Sequence, residues 1–338
     1  MIDLSTNYMG LKLKNPVIAG ASNLALRMEN VKAMEDAGVA AIVYKSLFEE
    51  QINFESAEFD ESIRAYNDRN AEMARMYPEM KHAGPKNFLL QLKRLKEKAS
   101  VPIIASINAI NKETWLEYAK LVEATGVDAL EINLFKSPKK FDVSGDDIEK
   151  EKLDIIKTVK KAVKIPVSVK LGMSYSNLLN FINKIDKLKI DGLVIFNRLF
   201  EPEIDIYEEK PLFPFNLSNK GDYRLALRYA GLLYGNIKSN ICCNSGIFDG
   251  DDLIKMILAG ADAVQVVSTL YKHKISHISN ILKTLSNWMN DKGYSSINDF
   301  KGKLSRKKSK DPYIYLRAQY VDIILNSADE LLKKHPVI

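Results

Sequence analysis

The chain has 338 residues, 46% hydrophobic and 27% charged, the proportions of an ordinary folded protein that needs no disulfide or metal staple. Its two cysteines, Cys242 and Cys243, are adjacent in an apolar run, so no CxxC pair is available for zinc or an iron–sulfur cluster. The formal net charge of +6 is mostly lysine, in Lys136–Lys140, Lys157–Lys164 and Lys301–Lys310, but Asp and Glu interleave in most of these stretches, which argues for solvated helix faces over nucleic-acid binding.

Short apolar, β-branched runs recur along the chain, nearly all followed by a helical pattern. Pro16–Gly20 precedes a helix at about 28–37, and Ala40–Tyr44 precedes a long connection, Ser46–Gly84. Within that connection Tyr66–Met73 looks helical. A helix at about 87–99 leads to the run Pro102–Ile107, and one at about 112–124 leads to Ala129–Leu134. The pattern repeats with a helix at about 147–163, the run Pro166–Lys170, a helix at about 176–188 and the run Gly192–Phe196. A second long connection, Leu199–Gly221, follows. A helix at about 222–236, the run Ile241–Cys243, a helix at about 251–259 and the run Ala263–Val267 complete the series. Asp249 is placed to start the last of these helices. From about Ser276 onward the pattern is that of two or three further helices.

Strands alternating with helices predict βαβ units and a parallel sheet. Gly38, Gly126 and Gly260 stand where helices need a left-handed C′ residue, each just before the next strand. Eight such units match a closed (β/α)8 TIM barrel. An open dinucleotide-binding sheet would carry G-x-G-x-x-G after its first strand, and that string is absent. The expectation is one domain over 1–338, with the barrel at about 15–275 and a helical extension at about 276–338. No run of about 18 apolar residues is present, and the start lacks a basic-then-apolar leader, so the expected location is cytoplasmic with no membrane span.

The predicted carboxyl ends of the strands are all polar. They read Ala21–Ser22–Asn23, Lys45–Ser46, Ser106–Ile107–Asn108, Glu131–Ile132–Asn133, Val169–Lys170, Asn197–Arg198, Asn244–Ser245–Gly246 and Ser268–Thr269. A lone Asn or Ser there is usually a turn residue. A full ring of amides, hydroxyls and two lysines at one mouth instead suits a planar, polar, anionic ligand. Ser245–Gly246 and Ser268–Thr269 follow the seventh and eighth strands, the usual barrel phosphate site.

With these residues in order, the chain resembles the dihydroorotate dehydrogenase family, class 1, over about residues 5–302. The resemblance rests on Asn15–Pro16 leading into Ala21–Ser22, then Lys45–Ser46, Ser106–Asn108, Glu131–Leu134, Val169–Leu171, Asn197, Ser245–Ile247, Ala259–Ala261 and the pair Met289–Tyr294 and Asp299–Gly302. It implies FMN across the C-terminal mouth. Ala21, Ser22, Lys45, Ser46, Asn108, Asn133, Lys170 and Asn197 would surround the ring and ribityl chain, and Ser245, Gly246, Ser268 and Thr269 would hold the phosphate. It also implies a homodimer.

Two strings depart from the family. Where class 1 has N-L-S-C-P-N, with Cys as catalytic base, this chain reads Asn133–Leu134–Phe135–Lys136–Ser137–Pro138, so Lys136 or Ser137 takes the base position. The family's substrate loop N-x-M-G-L-P-N is absent from Ser46–Gly84. Asn133 and Asn197 keep counterparts among the substrate asparagines, and Arg198 adds a cation beside them. The expected activity is an FMN-dependent dehydrogenation of a CH–CH bond in dihydroorotate or a related dihydropyrimidine, with Lys136, Ser137 and Lys45 as candidate catalytic residues. Two alternatives stay open: a Schiff-base lyase or aldolase using Lys170, and a dihydrouridine synthase-type RNA-modifying flavoprotein. The electron acceptor is equally open between fumarate, a quinone and a partner subunit.

Overall fold

The computed structural model describes residues 2–49, 85–134, 141–198, 201–212 and 217–310, and beyond these only positions 315, 321, 325, 333 and 334. In chain order the strands are β1 (Thr6–Tyr8), β2 (Leu11–Leu13), β3 (Val17–Ala19), β4 (Ala41–Val43), β5 (Leu47–Phe48), β6 (Ile103–Asn108) and β7 (Ala129–Asn133). Then come β8 (Val167–Leu171), β9 (Gly192–Ile195), β10 (Glu203–Asp205), β11 (Lys210–Leu212), β12 (Asn240–Asn244) and β13 (Ala263–Val266). The helices are α1 (Met28–Asp36), α2 (Lys86–Lys98), α3 (Lys112–Glu123), α4 (Gly145–Ala162), α5 (Leu178–Asp186), α6 (Arg224–Leu233), α7 (Gly250–Ala259), α8 (Ser268–His273) and α9 (His277–Asp291).

Eight parallel strands close on themselves in the order β3, β4, β6, β7, β8, β9, β12, β13 and back to β3, which makes a (β/α)8 TIM barrel. The predicted barrel strands and the helices between them that fall in the described residues are present, with ends shifted by a few residues at most. Gly38, Gly126 and Gly260 have the positive φ that the helix ends require. Asp249 caps α7, its carboxylate accepting from Asp252 N. The sequence did not signal β5, which lies beside the end of β6, or the hairpins β1–β2 and β10–β11. These pieces are only two or three residues long, and β10 and β11 are almost wholly exposed, so they carry no readable alternation. Of the expected C-terminal extension, α9 is present and packs near α7. The segment 50–84, with Tyr66–Met73, and most of 311–338 lie outside the described residues.

Because side chains alternate along a strand, the barrel residues divide into two sets. Val17, Ala19, Ile42, Ile103, Ala105, Leu130, Ile132, Val264 and Val266 face outward and join the helices in one continuous core. The opposite phase holds Ile18, Ala41, Val43, Ile104, Ala129, Val194, Cys242 and Ala263, packed with Tyr8, Met9 and Leu13 of the first hairpin. That second set is the barrel interior, closed at its amino end by the hairpin. Carrying the inward phase toward the carboxyl ends gives Ser106 and Asn108, Glu131 and Asn133, Ser168 and Lys170, then Asn244 and Gln265, all buried. The interior is therefore apolar at the bottom and polar at the top. No helix among the described residues is long and apolar enough to cross a membrane.

Candidate active site

The polar end of the barrel opens into a cleft of about 170 Å³. Eight of the sequence-predicted residues line it: Ala21, Lys170, Asn197, Arg198, Ser245, Gly246, Ser268 and Thr269. Asn133 joins them through a hydrogen bond, accepting from Asn197 Nδ2 at 2.8 Å. The structure does not place Ser22, Lys45, Ser46 and Asn108 in that lining. They sit on the neighbouring ends of β3, β4 and β6. The half-buried Ser22 accepts from Leu24 N at the start of a 3₁₀ turn, and Ser46 Oγ lies 2.6 Å from Ser106 Oγ. Lys45 is half-buried. Asn108 is buried, and its Nδ2 has no hydrogen-bond partner among the described residues. Lys136 and Ser137 lie outside the described residues.

After β12 the chain takes two successive left-handed residues, Ser245 and Gly246, both at φ +71°. The turn is held in part by Ser218, which sequence reasoning did not single out. Ser245 N donates to Asn244 Oδ1 at 2.8 Å, and Gly246 N donates to Ser218 Oγ at 3.0 Å. Ser218 N in turn donates to Ser268 Oγ at 2.8 Å, and Thr269 Oγ1 donates to Ile247 O at 2.5 Å. Asn244 and Ser218 thus place acceptor oxygens against the backbone donors of the expected phosphate site. Ser218 lies on the long connection after β9, far from any strand end, and had no local signal.

Arg198 is tied down. Its Nη1 lies 2.5 Å from Asp222 Oδ2, and its Nη2 lies 3.7 Å from Glu201 Oε2. The guanidinium therefore shares its charge with two carboxylates.

Beneath the cleft lies a buried charge pair. Lys170 Nζ is 3.9 Å from Glu131 Oε1, with side-chain exposures of 8% and 1%. Glu131 Oε2 accepts from Gln265 Nε2 at 2.6 Å. The signal for Glu131 was in the sequence: it is two residues before Asn133 and so shares its face of the strand. Burial, with the nearby Glu131 carboxylate, pushes the Cys242 thiol well up, and burial does the same to the Tyr8 phenol, so both stay neutral. The described residues contain no His, Cys, Asp and Glu cluster able to hold a metal.

A closed parallel barrel with a polar upper interior, and a turn after its seventh strand set against residues following the eighth, is the architecture of a (β/α)8 barrel enzyme with its site at the carboxyl end. The family model described as dihydroorotate dehydrogenase matches residues 3–289, and the chain belongs to that family. Its members are flavoproteins and oxidoreductases acting on CH–CH bonds. This decides among the three readings of the mouth in favour of the dihydroorotate dehydrogenase-type oxidoreductase.

Among curated relatives, the chain is 27% identical over 308 residues to dihydroorotate dehydrogenase B (NAD(+)), catalytic subunit, of Thermoplasma acidophilum, covering 89% of this chain and 99% of the relative. The counterpart of the same description in Thermoplasma volcanium is 29% identical over 309 residues, covering 89% and 98%. A putative dihydroorotate dehydrogenase A (fumarate) of Aeropyrum pernix is 26% identical over 316 residues, covering 89% and 97%.

Proposed function

We propose that the protein binds FMN at the carboxyl mouth of the barrel and transfers two electrons to or from the CH–CH bond of dihydroorotate or a related dihydropyrimidine. The observation that carries this reading is the ring of buried polar groups at the top of an otherwise apolar interior. Lys170, Asn133, the half-buried Asn197 and Asn108, whose Nδ2 has no hydrogen-bond partner among the described residues, offer donors to the carbonyl and nitrogen edge of a flavin. Burying such groups without a ligand to satisfy them is costly, so their chemistry fits that group.

When bound, FMN supplies the two-electron redox chemistry. The chain's own residues then divide the remaining work. Ala21, Ser22, Lys45, Ser46, Asn108, Asn133, Lys170 and Asn197 bind and orient the ring and ribityl chain. Ser245, Gly246, Ser268 and Thr269 hold the phosphate, with Ser218 and Asn244 shaping the turn. Lys170 would hold a positive charge beside the ring from a buried position, where a cation acts strongly. Asn133, Asn197 and Arg198 grip the substrate. A proton at the substrate carbon is held or moved by Lys136 or Ser137, which follow β7 in the chain.

The chain forms one domain and acts in the cytoplasm as a homodimer on a small molecule. The relatives described as catalytic subunits make a separate electron-transfer subunit the competing arrangement, and light scattering of the purified chain alone reads the first. The central test is a visible spectrum of the purified protein supplied with FMN. Bound flavin is expected, with bleaching on anaerobic addition of dihydroorotate. No bound flavin rejects the cofactor; bound flavin that dihydroorotate leaves oxidised rejects only that substrate.

A further inference from the structure

We propose that Glu131 is a positioning residue that holds the Lys170 ammonium and partly cancels its charge, and so sets the redox potential of the bound flavin; this rests on the flavin reading above.

Glu131 faces the barrel interior, one layer below Asn133. Across the sheet it is level with Ser106 on β6 and Ser168 on β8, while Lys170 is level with Asn133. Its carboxylate meets Lys170 and Gln265, the two neighbours whose side chains also line the cleft. Glu131 is not itself part of that lining and stands behind both. One oxygen accepts from Gln265 Nε2, and the other has no hydrogen-bond partner among the described residues and faces the ammonium at 3.9 Å.

A carboxylate in this layer is an expensive choice. The layer below fills the same interior with Ile18, Val43, Ile104 and Val194, and an apolar residue at position 131 would avoid the desolvation of a buried charge. The other titratable groups nearby, Tyr8 and Cys242, are kept neutral by burial, so they cannot serve as the counter-charge. The buried interior behind the cleft therefore presents a cation on the ligand side and an anion behind it. Lysine carries its charge on a flexible stem with several rotamers. A fixed carboxylate limits where that charge rests and lowers the net positive field reaching the ring. Reduced flavin is anionic, so less positive field means a lower potential.

The test is the midpoint potential of the FMN-loaded protein, measured by equilibration with reference dyes, for wild type, E131Q, K170M and the double variant. Glutamine retains an acceptor for Gln265 and nearly the same volume. E131Q is expected to raise the potential by a tenfold or greater change in the oxidised-to-reduced ratio, about 30 mV for a two-electron couple. K170M is expected to lower it. Glu131 acts through the lysine, so with Lys170 absent, adding E131Q to K170M is expected to change nothing further. An E131Q potential equal to or below wild type, or equal E131Q shifts in both backgrounds, overturns the proposal. If E131Q does not fold by circular dichroism, E131D takes its place: it withdraws the charge from Lys170, so a smaller rise is expected with Lys170 present and none with K170M. Equal E131D shifts in the two backgrounds overturn the proposal too. A wild-type protein that takes up no flavin rejects the flavin reading and this role with it; bound flavin with an unmoved potential rejects only the role of Glu131.

Discussion

Gly246 carries the tightest constraint at the mouth. A β-carbon there would lie 2.6 Å from Tyr223 N and 2.9 Å from Asp222 Cβ, and its φ of +71° already disfavours other residues. Gly246→Ala is expected to cost about 1–3 kcal/mol in urea unfolding. Because the turn is the expected phosphate site, the substitution is also expected to weaken FMN binding at least tenfold by fluorescence titration, and unchanged affinity would move the phosphate elsewhere. The residues found by sequence at this mouth are those at strand ends, where a polar residue after an apolar run is visible. Ser218 and Asp222 were not visible, because what makes them part of the site is a contact across the barrel rim with Gly246 and Arg198. Glu131 and Gln265 sit inside apolar strands, and only the phase of the alternation marks them as inward-facing.

At the scale of the element, α7 shows how a local signal and a distant partner combine. Asp249 accepts from Asp252 N at 3.0 Å and pairs with Lys220 at 2.8 Å. Burial pulls its carboxyl upward, but the Lys220 ammonium and the Asp252 backbone N–H outweigh burial, and its pKa falls below the usual 3.8. The folded value is depressed, so the contribution is fully present above about pH 4 and is lost as pH falls through the folded value. Asp249→Ala is expected to cost about 1 kcal/mol at neutral pH through loss of the helix cap. In melts of wild type and variant across pH, the difference is expected to stay constant from about pH 5 to 8 and to shrink below pH 4; a gap that persists in acid would assign the effect to packing instead. The cap was legible in Asp249–Gly250–Asp251, but Lys220 was not, since it arrives from the long connection after β9. The helices and barrel strands were legible because burial on one face, or on both, imposes a period on the residues. The exposed β10–β11 hairpin has no such period.

On the whole-molecule scale, the two ends of the barrel are built differently and are expected to respond separately. Tyr8 is fully buried in the amino-end plug, and Met9 N donates to Asn240 Oδ1 at 2.9 Å. A β-carbon on Gly192 would come within 2.9 Å of Met9 Cγ and 3.0 Å of the Tyr8 ring, so the plug fits against the bare backbone of β9. Tyr8→Ala is expected to cost about 3–5 kcal/mol, the range for removing a large buried aromatic residue. Because the proposed flavin site is at the opposite end, protein that remains folded is expected to keep its FMN affinity within about twofold. A large loss of both would show the ends to be coupled. The sequence by itself determined the (β/α)8 barrel, the ring of polar strand ends and the family, since all three rest on residue types at repeating spacings along the chain. Only the tertiary structure decided which of those polar residues share one cleft, that Arg198 is bound by Asp222 and Glu201, and that Lys170 has a buried anion behind it. Those outcomes depend on contacts between strands and loops tens of residues apart, and spacing along the chain does not encode such distances. The mouth first read from eight strand ends is thus a charged assembly whose members are set by barrel closure.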